Sequence, residues 1–127
     1  MIIGIGTDIV DVVRIQRLLD EQGDRFKNRV FTKNEQAKAE NSARPAHSYA
    51  KRFAAKEAFI KAIQNDGEGI SWTEIEIINA SSGAPSLHLT GSALSALQTR
   101  HPHIKTFVSL TDTDTLAQAM VILSVET

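Results

Sequence analysis

The chain has 127 residues, a formal net charge of −1 and no cysteine, with 42% hydrophobic and 23% charged residues. These values fit a single globular domain over residues 1–127, and they exclude disulfides and thiolate metal sites. The near-neutral charge argues against nucleic-acid binding driven by bulk charge, and no apolar run is long enough to cross a membrane.

The N-terminal stretch "MIIGIGTDIV" has no basic segment and reaches Asp8 too early for a signal peptide, so we expect a cytoplasmic protein. Residues 2–6 predict a short buried strand. A helix is predicted over "DIVDVVRIQRLLDEQG", with Asp8 as a candidate N-cap and Gly23 as its stop.

Two further helices are predicted at "RFKNRVF" and at "TKNEQAKAEN", where Thr32 and Glu35 have the spacing of a capping box. The stretch "SARPAHS" predicts a loop around Pro45. Residues 52–63, "RFAAKEAFIKAI", predict a long, mostly buried helix because apolar side chains occur on nearly every side of it. The glycines of "QNDGEGIS" end that helix.

In the second half of the chain, apolar and polar residues alternate with a period of two, which is typical of strands. "WTEIEIIN" and "LHLTG" predict a hairpin around the turn "ASSGAPS", and "SALSALQTR" predicts a short helix. "KTFVSLTDTDTLAQAMVILSV" predicts two strands around the polar turn "TDTDT". A strand, several helices and then strands with one helix between them predict an α+β domain with a mainly antiparallel sheet.

The glycines of "GIGTDI" do not form a dinucleotide-binding fingerprint, because the position that needs a third glycine is Ile9. We therefore expect Gly4 and Gly6 to let another strand approach closely. Asp8 has two interpretations, which can coexist. It is a preferred helix cap, and it is also a carboxylate well placed for a metal.

Glu57 and Lys61 are four positions apart on the long predicted helix, in the favourable order for an ion pair. If this side of the helix is covered, the Glu57 carboxylate needs a compensating charge or a metal. If it is exposed, the two residues form a solvated pair on a basic face. Two carboxylates, Asp8 and Glu57, together with several cations would suit Mg²⁺ and a polyphosphate.

The histidines of "HPH", His101 and His103, are spaced like a ligand pair, but a polar turn is the more common outcome for such a stretch. "TDTDT" has the letters of a calcium loop without the full loop, and it also predicts a turn.

Two motifs resemble those of the holo-[acyl-carrier-protein] synthase family. Members of this family are small 4′-phosphopantetheinyl transferases. The first is the G-x-D element of "GIGTDIVDVVRI", and the second is the [FW]-x-x-K-E-[AS]-x-x-K helix of "RFAAKEAFIKAI". Their spacing and order match, as do the chain length, the "SGAP" turn and the C-terminal strand pair. The resemblance thus covers essentially the whole chain and implies the 4′-phosphopantetheinyl transferase fold.

The resemblance implies an Mg²⁺-dependent enzyme that transfers 4′-phosphopantetheine from coenzyme A to a serine of apo acyl carrier protein, in support of fatty-acid biosynthesis. Asp8 and Glu57 would be the metal ligands, and Lys61 would contact the phosphate being displaced, so these three residues would be catalytic. The residues implied to contact coenzyme A are Arg52, Lys56, Gly83, Pro85, Ser109 and Thr111. The strand "FVSLTD" would come from a neighbouring subunit of a homotrimer whose sites lie at subunit interfaces.

Two positions depart from commoner family patterns. Ala84 stands where many relatives have a basic residue, and Asp112 stands where many have histidine. The competing functions are a catalytically silent trimer that binds coenzyme A or carrier protein, and a structural trimer without a ligand.

Five of the fourteen cations lie between residues 14 and 29. Relatives use basic residues at the positions of Arg14, Arg25 and Arg29, so the resemblance implies that these arginines dock the acidic carrier protein. The alternative is a solvated helix face, because Asp20, Glu21 and Asp24 within this stretch, and Asp11 just before it, dilute the charge.

Overall fold

The structure is a computed structural model that describes residues 1–126. Its elements are, in chain order, β1 (Ile2–Asp11), α1 (Val12–Gln22), α2 (Asp24–Val30), α3 (Lys33–Glu40), α4 (Pro45–Ala62), a 3₁₀ turn (Trp72–Glu74), β2 (Ile75–Asn79), β3 (Pro85–Leu89), α5 (Gly91–Arg100), β4 (Lys105–Asp112) and β5 (Leu116–Ser124). Within these residues no helix is both long and apolar enough to span a membrane.

The five strands form two antiparallel sheets. One has three strands in the order β1–β5–β4, and the other is the β2–β3 hairpin. This confirms the predicted α+β class, the hairpin around "SGAP" and the strand pair around "TDTDT". The predicted strand at "WTEIEIIN" starts later than expected, because Trp72–Glu74 form the 3₁₀ turn first.

Helix α4 is the central element of the core. Eleven of its eighteen residues are buried, five of them alanines whose small side chains let neighbouring elements approach. The helix begins at Pro45, so the predicted loop ends earlier than expected. Proline suits the first turn because its fixed φ is helical and its missing N–H would have no intrahelical partner there.

Helix α4 lies directly against β1, where Gly4 and Gly6 face it. An added Cβ at Gly6 would lie 2.7 Å from the amide nitrogen of Ala62 and closer still to the carbonyl oxygen of Ala58. The predicted close approach is therefore real, but the neighbour is a helix and not another strand. This contact fixes the position of β1 along and against α4, and so determines which residues of the two elements face each other.

The prediction that Asp8 caps the first helix is wrong. Strand β1 continues to Asp11, which is the N-cap of α1, and Asp8 pairs with Ala119 inside the sheet. The alternation of "GTDIVD" explains the longer strand, because Gly6, Asp8 and Val10 share the face turned toward α4. The predicted stop at Gly23 and the capping box of Thr32 and Glu35 are confirmed.

Candidate functional site

Asp8 and Glu57 come together where β1 crosses α4. The Lys61 ammonium, one turn beyond Glu57, donates to Asp8 Oδ1 at 3.2 Å and to the carbonyl oxygen of Thr7 at 3.0 Å. Lys61 is thus paired with Asp8 on the strand and not with Glu57 on its own helix. The Asp8 side chain is only 16% exposed, whereas that of Lys61 is 55% exposed.

The half-buried Glu57 carboxylate is electrostatically unfavourable. Burial raises the pKa of Glu57, and the nearby negative charge of Asp8 raises it further, while Lys61 and Arg14 act in the opposite direction. Two close carboxylates with an incompletely compensated charge are a suitable donor set for a hard divalent cation. Among residues 1–126 no group of three or more His, Cys, Asp or Glu could hold a metal, so further ligands would have to come from substrate or water.

A cavity of about 170 Å³ opens beside Glu57. Its charged lining residues are Glu57 and Asp66, and the other lining residues are Ile60, Gly67, Ile70, Trp72 and Ile75. The cavity places the apolar side chains of Ile60, Ile70, Trp72 and Ile75 beside the Glu57 carboxylate.

Arg52 lies in a second, cationic cavity of about 290 Å³. Its charged and polar lining residues are Lys38, Ser42, Arg44, His47, Ser48, Lys51, Arg52, Asn79 and Asp112. Arg52 is 3% exposed, and its Nε has no hydrogen-bond partner in the described part of the chain. Burial lowers the pKa of the Arg52 guanidinium, and Glu35 partly offsets this effect. The four cations that line this cavity, Lys38, Arg44, Lys51 and Arg52, suit an anionic ligand.

Hydrogen bonds connect the turn of the β2–β3 hairpin to Arg52 in this cavity. A terminal NH₂ of Arg52 donates to Asn79 Oδ1 at 2.8 Å, and Asn79 Nδ2 donates to the carbonyl oxygen of Gly83 at 3.1 Å. Gly83 has a φ of 90°, which favours glycine there. Pro85 begins β3, and Ala84 is exposed.

The predicted residues of β4 lie on its two faces. Ser109 and Thr111 are exposed on the face turned away from α4, whereas Asp112 points toward the cationic cavity and pairs with Lys51 at 3.2 Å. Asp112 therefore reduces the positive charge of that cavity. Within one chain, Ser109 and Thr111 do not face the same cavity as Arg52.

Lys56, predicted to hold the coenzyme, has a fully buried ammonium. It is bound by Glu35 and by two backbone carbonyls, so direct contact with a coenzyme would require these bonds to break. Burial lowers the pKa of Lys56, and the facing Glu35 carboxylate opposes this shift. The sequence reasoning treated Glu35 only as a helix cap and missed it as the buried partner of Lys56. The sequence did contain a sign of this partner, because a charged residue such as Lys56 inside so apolar a helix requires an opposite charge nearby.

The three arginines predicted to dock a carrier protein are all exposed, Arg14 on α1 and Arg25 and Arg29 on α2. The Arg14 guanidinium lies 5.6 Å from the ring centroid of Phe53, close enough to Glu57 to lower the pKa of that carboxyl. The arginine surface, defined as these three residues, therefore starts at the edge of the carboxylate site.

His101 and His103 lie apart from these sites. The His103 N–H donates to His101 Nδ1 at 3.1 Å, as in a turn.

Comparison with known proteins gives concordant results. The sequence profile of the 4′-phosphopantetheinyl transferase superfamily matches residues 4–117. The chain is 45% identical to the holo-[acyl-carrier-protein] synthase of Brucella ovis over 127 residues, covering 97% of this chain and 95% of that protein.

Solved structures agree with the sequence matches. The crystal structure of the holo-[acyl-carrier-protein] synthase from Neisseria meningitidis superposes with a TM-score of 0.86 at 36% identity, over 98% of this chain and 99% of that one. The Helicobacter pylori holo-[acyl-carrier-protein] synthase in complex with coenzyme A superposes with a TM-score of 0.81 at 27% identity, over 94% of this chain and 99% of that one.

Proposed function

The chain belongs to the 4′-phosphopantetheinyl transferase superfamily, and we propose that it is a holo-[acyl-carrier-protein] synthase. It transfers 4′-phosphopantetheine from coenzyme A to a serine of apo acyl carrier protein. The observation that carries the proposal is the convergence of Asp8, Glu57 and Lys61, which come from two distant motifs. We assign the reaction to fatty-acid biosynthesis in the cytoplasm.

In the transfer, the serine oxygen forms a bond to the phosphorus that carries pantetheine. The bond from that phosphorus to the bridging oxygen of the diphosphate breaks, the serine loses its proton to a base, and adenosine 3′,5′-bisphosphate leaves with the electron pair. Such reactions depend mostly on positioning and on stabilising charge, because the protein supplies little covalent chemistry.

Asp8 and Glu57 would hold the Mg²⁺ ion that the family resemblance implies. Their oxygen donors and mutual repulsion fit a hard cation. When bound, the ion would neutralise the diphosphate as charge develops on it. Lys61 would contact the displaced phosphate, and its exposed ammonium would reach that phosphate by giving up its bond to Asp8.

The cationic cavity around Arg52 would receive a phosphate group of coenzyme A. Arg52 lines it together with the cations Lys38, Arg44 and Lys51. The link from Arg52 through Asn79 to Gly83 would place the hairpin turn, with Pro85, beside the nucleotide. Accordingly, Arg52→Gln should raise the KM for coenzyme A about tenfold or more, because a charged hydrogen-bond donor is lost. An unchanged KM would remove Arg52 from the coenzyme site.

A homotrimer would bring these separate parts together. Residues 52 and 57 point about 140° apart around α4 at 100° per residue, so the carboxylates and the cationic cavity occupy different sides of one chain. Ser109 and Thr111 lie on the exposed outer face of the three-stranded sheet, among large apolar side chains. We propose that this face packs against a neighbouring subunit and completes its site.

Mass spectrometry tests the activity directly. Apo acyl carrier protein incubated with the chain, coenzyme A and Mg²⁺ should gain the mass of one phosphopantetheine. Binding of coenzyme A without any mass gain would instead support a catalytically silent binding trimer. If the chain shows neither binding of coenzyme A nor transfer, a structural role remains.

A further inference from the structure

Lys56 and Glu35 form an ion pair in the interior of the molecule. The Lys56 ammonium donates to Glu35 Oε1 at 2.8 Å, and neither side chain has any exposed surface. The ammonium uses its remaining donors on the carbonyl oxygens of Trp72, at 3.0 Å, and of Ile75. All three protons of this buried cation are therefore used inside the protein.

Glu35 connects three parts of the chain. Its Oε1 accepts from the backbone N–H of Thr32 at 3.0 Å and so closes the capping box of α3. Its Oε2 accepts from the backbone N–H of Ile77 at 3.0 Å, in the middle of β2. Through Lys56, the same carboxylate is joined to α4. The pair thus links α3, α4 and the first hairpin strand.

The residues held by Lys56 form part of the wall beside Glu57. Trp72 and Ile75 line the cavity of about 170 Å³ next to that carboxylate. The Trp72 ring also stacks on Phe53, with centroids 5.3 Å apart and an angle of 25°, and Phe53 in turn lies under the Arg14 guanidinium. A shift of the Trp72 backbone would therefore change both the cavity wall and the support of Arg14.

We propose that Lys56 is a positioning residue, not a coenzyme ligand. Its pair with Glu35 holds residues 72–77 against α4, and this fixes the cavity wall beside Glu57 and the ring that supports Arg14. The inference rests on the proposed function, since it names how transfer depends on Lys56. It differs from the role implied by the family resemblance, in which Lys56 contacts the cofactor.

A double-mutant cycle separates the two roles. Lys56→Met leaves Glu35 as a buried charge without its ion-pair partner, which is strongly unfavourable, whereas Lys56→Met combined with Glu35→Gln removes both charges. Glu35→Gln alone completes the cycle. In both variants that lack Lys56, the Trp72 and Ile75 carbonyl oxygens lose their donor. Lys33→Met is the matched control, because Lys33 is an exposed lysine of α3 whose ammonium donates to the Asn28 side chain. Urea unfolding gives the stability of each variant without any turnover.

Trp72 supplies a second readout, since it is the only tryptophan of the chain. If Lys56 positions the wall, Lys56→Met should shift the Trp72 emission to longer wavelength. The double variant should return the emission only part of the way to the wild-type maximum, because the Trp72 and Ile75 carbonyl oxygens still lack their donor. The transfer rate at saturating substrates should fall at least tenfold in Lys56→Met and recover in part in the double variant, as expected for coupled neighbours. The KM for coenzyme A should stay within about twofold of wild type in the double variant.

The opposite pattern would overturn the proposal. A double variant that is folded, with normal Trp72 emission but a KM for coenzyme A raised as much as in Lys56→Met, would make Lys56 a coenzyme contact. If Lys56→Met does not fold, the double variant alone decides between these outcomes. If the wild-type chain transfers nothing, the proposed function fails, while emission and unfolding still report whether the pair holds residues 72–77.

Discussion

Gly6 of β1 and Ala58 of α4 approach so closely that no side chain fits between them. An added Cβ at Gly6 would overlap the Ala58 carbonyl oxygen, a backbone atom that cannot move aside by rotation. Because Asp8 follows Gly6 on the same face of β1 and Glu57 precedes Ala58, this contact sets the spacing of the two carboxylates.

Gly6→Ala should therefore lower the free energy of unfolding by about 1–3 kcal/mol or more, as overpacking does. Transfer activity should fall further than stability alone explains, because β1 must move away from α4. Ala58→Gly should not rescue the variant, since the overlap involves the backbone. Thermal unfolding and the carrier mass assay measure both effects, and a Gly6→Ala variant with wild-type stability and rate would contradict the close contact.

Replacing either carboxylate should abolish transfer. Asp8→Asn and Glu57→Gln keep side-chain size but remove the charge that would hold Mg²⁺, so activity at ordinary Mg²⁺ should drop at least a hundredfold. Stability should not fall in Glu57→Gln, because the raised pKa of Glu57 shows that its charge is unfavourable in the folded state. Activity across Mg²⁺ concentrations, with circular dichroism as the control, tests this. Near-wild-type activity in either variant would remove that residue from the metal site.

The outer face of the three-stranded sheet should mediate assembly. Phe107, Ile5 and Ile9 are 54%, 60% and 59% exposed there, an apolar surface that water would otherwise contact. Phe107→Glu should convert a trimer into monomers and reduce activity in proportion to dissociation. Gln98→Glu, at an exposed position of α5, is the matched charge control. Light scattering that shows an active monomer for the unmodified chain would exclude the trimer.

Stability should depend on pH through Tyr49 and Glu40. The buried Tyr49 hydroxyl donates to Glu40 Oε2, and this bond is the largest cause that lowers the Glu40 pKa, with Lys27 at 2.9 Å as the next. A lowered folded-state pKa stabilises the protein above the unfolded pKa and loses that contribution as pH falls through the folded value. The stability advantage of wild type over Tyr49→Phe should thus be about 1 kcal/mol near neutral pH and shrink in acid.

Urea unfolding from pH 7 to pH 3 measures this difference. In a Glu40→Gln background the same Tyr49→Phe substitution should show no such pH dependence. The ring at position 49 packs on Phe31, with centroids 4.8 Å apart. Because phenylalanine keeps this ring, wild type and Tyr49→Phe share the packing and differ in the hydroxyl. A difference that is constant with pH would mean that the hydroxyl acts independently of the Glu40 charge.

The sequence predicted local elements well because turns, caps and hydrophobic periods are local signals. The capping box of Thr32 and Glu35 and the hairpin at "SGAP" are of this kind. The sequence misplaces Asp8 at a helix cap because a carboxylate after a short apolar strand is typical of a cap. Pairing of Asp8 with Ala119 of β5 shows that the strand continues. The partner of Lys56 lies 21 residues away in another helix, and helical spacing cannot reveal such a contact.

The arginine surface should control carrier-protein binding. Acyl carrier proteins are acidic, and exposed charges of this type mainly set encounter rate and orientation. Their effect decays over a screening length of about 8 Å at physiological ionic strength, so salt should weaken carrier binding markedly. Arg14→Glu should raise the KM for carrier protein and reduce its salt dependence.

Arg25→Gln is the matched variant. Arg14 lies near enough to Glu57 to lower the pKa of that carboxyl, whereas Arg25 is not among the charges that affect it. A loss of function in Arg25→Gln can therefore be separated from an effect on Glu57. Both substitutions should raise the carrier KM, while the affinity for coenzyme A should change by no more than about twofold in Arg25→Gln. Steady-state kinetics at low and high salt, beside a coenzyme A titration, distinguish the cases. A carrier KM that neither substitution changes would leave these arginines as a solvated helix face. Weakened coenzyme A binding in Arg25→Gln would place that residue in the coenzyme site instead.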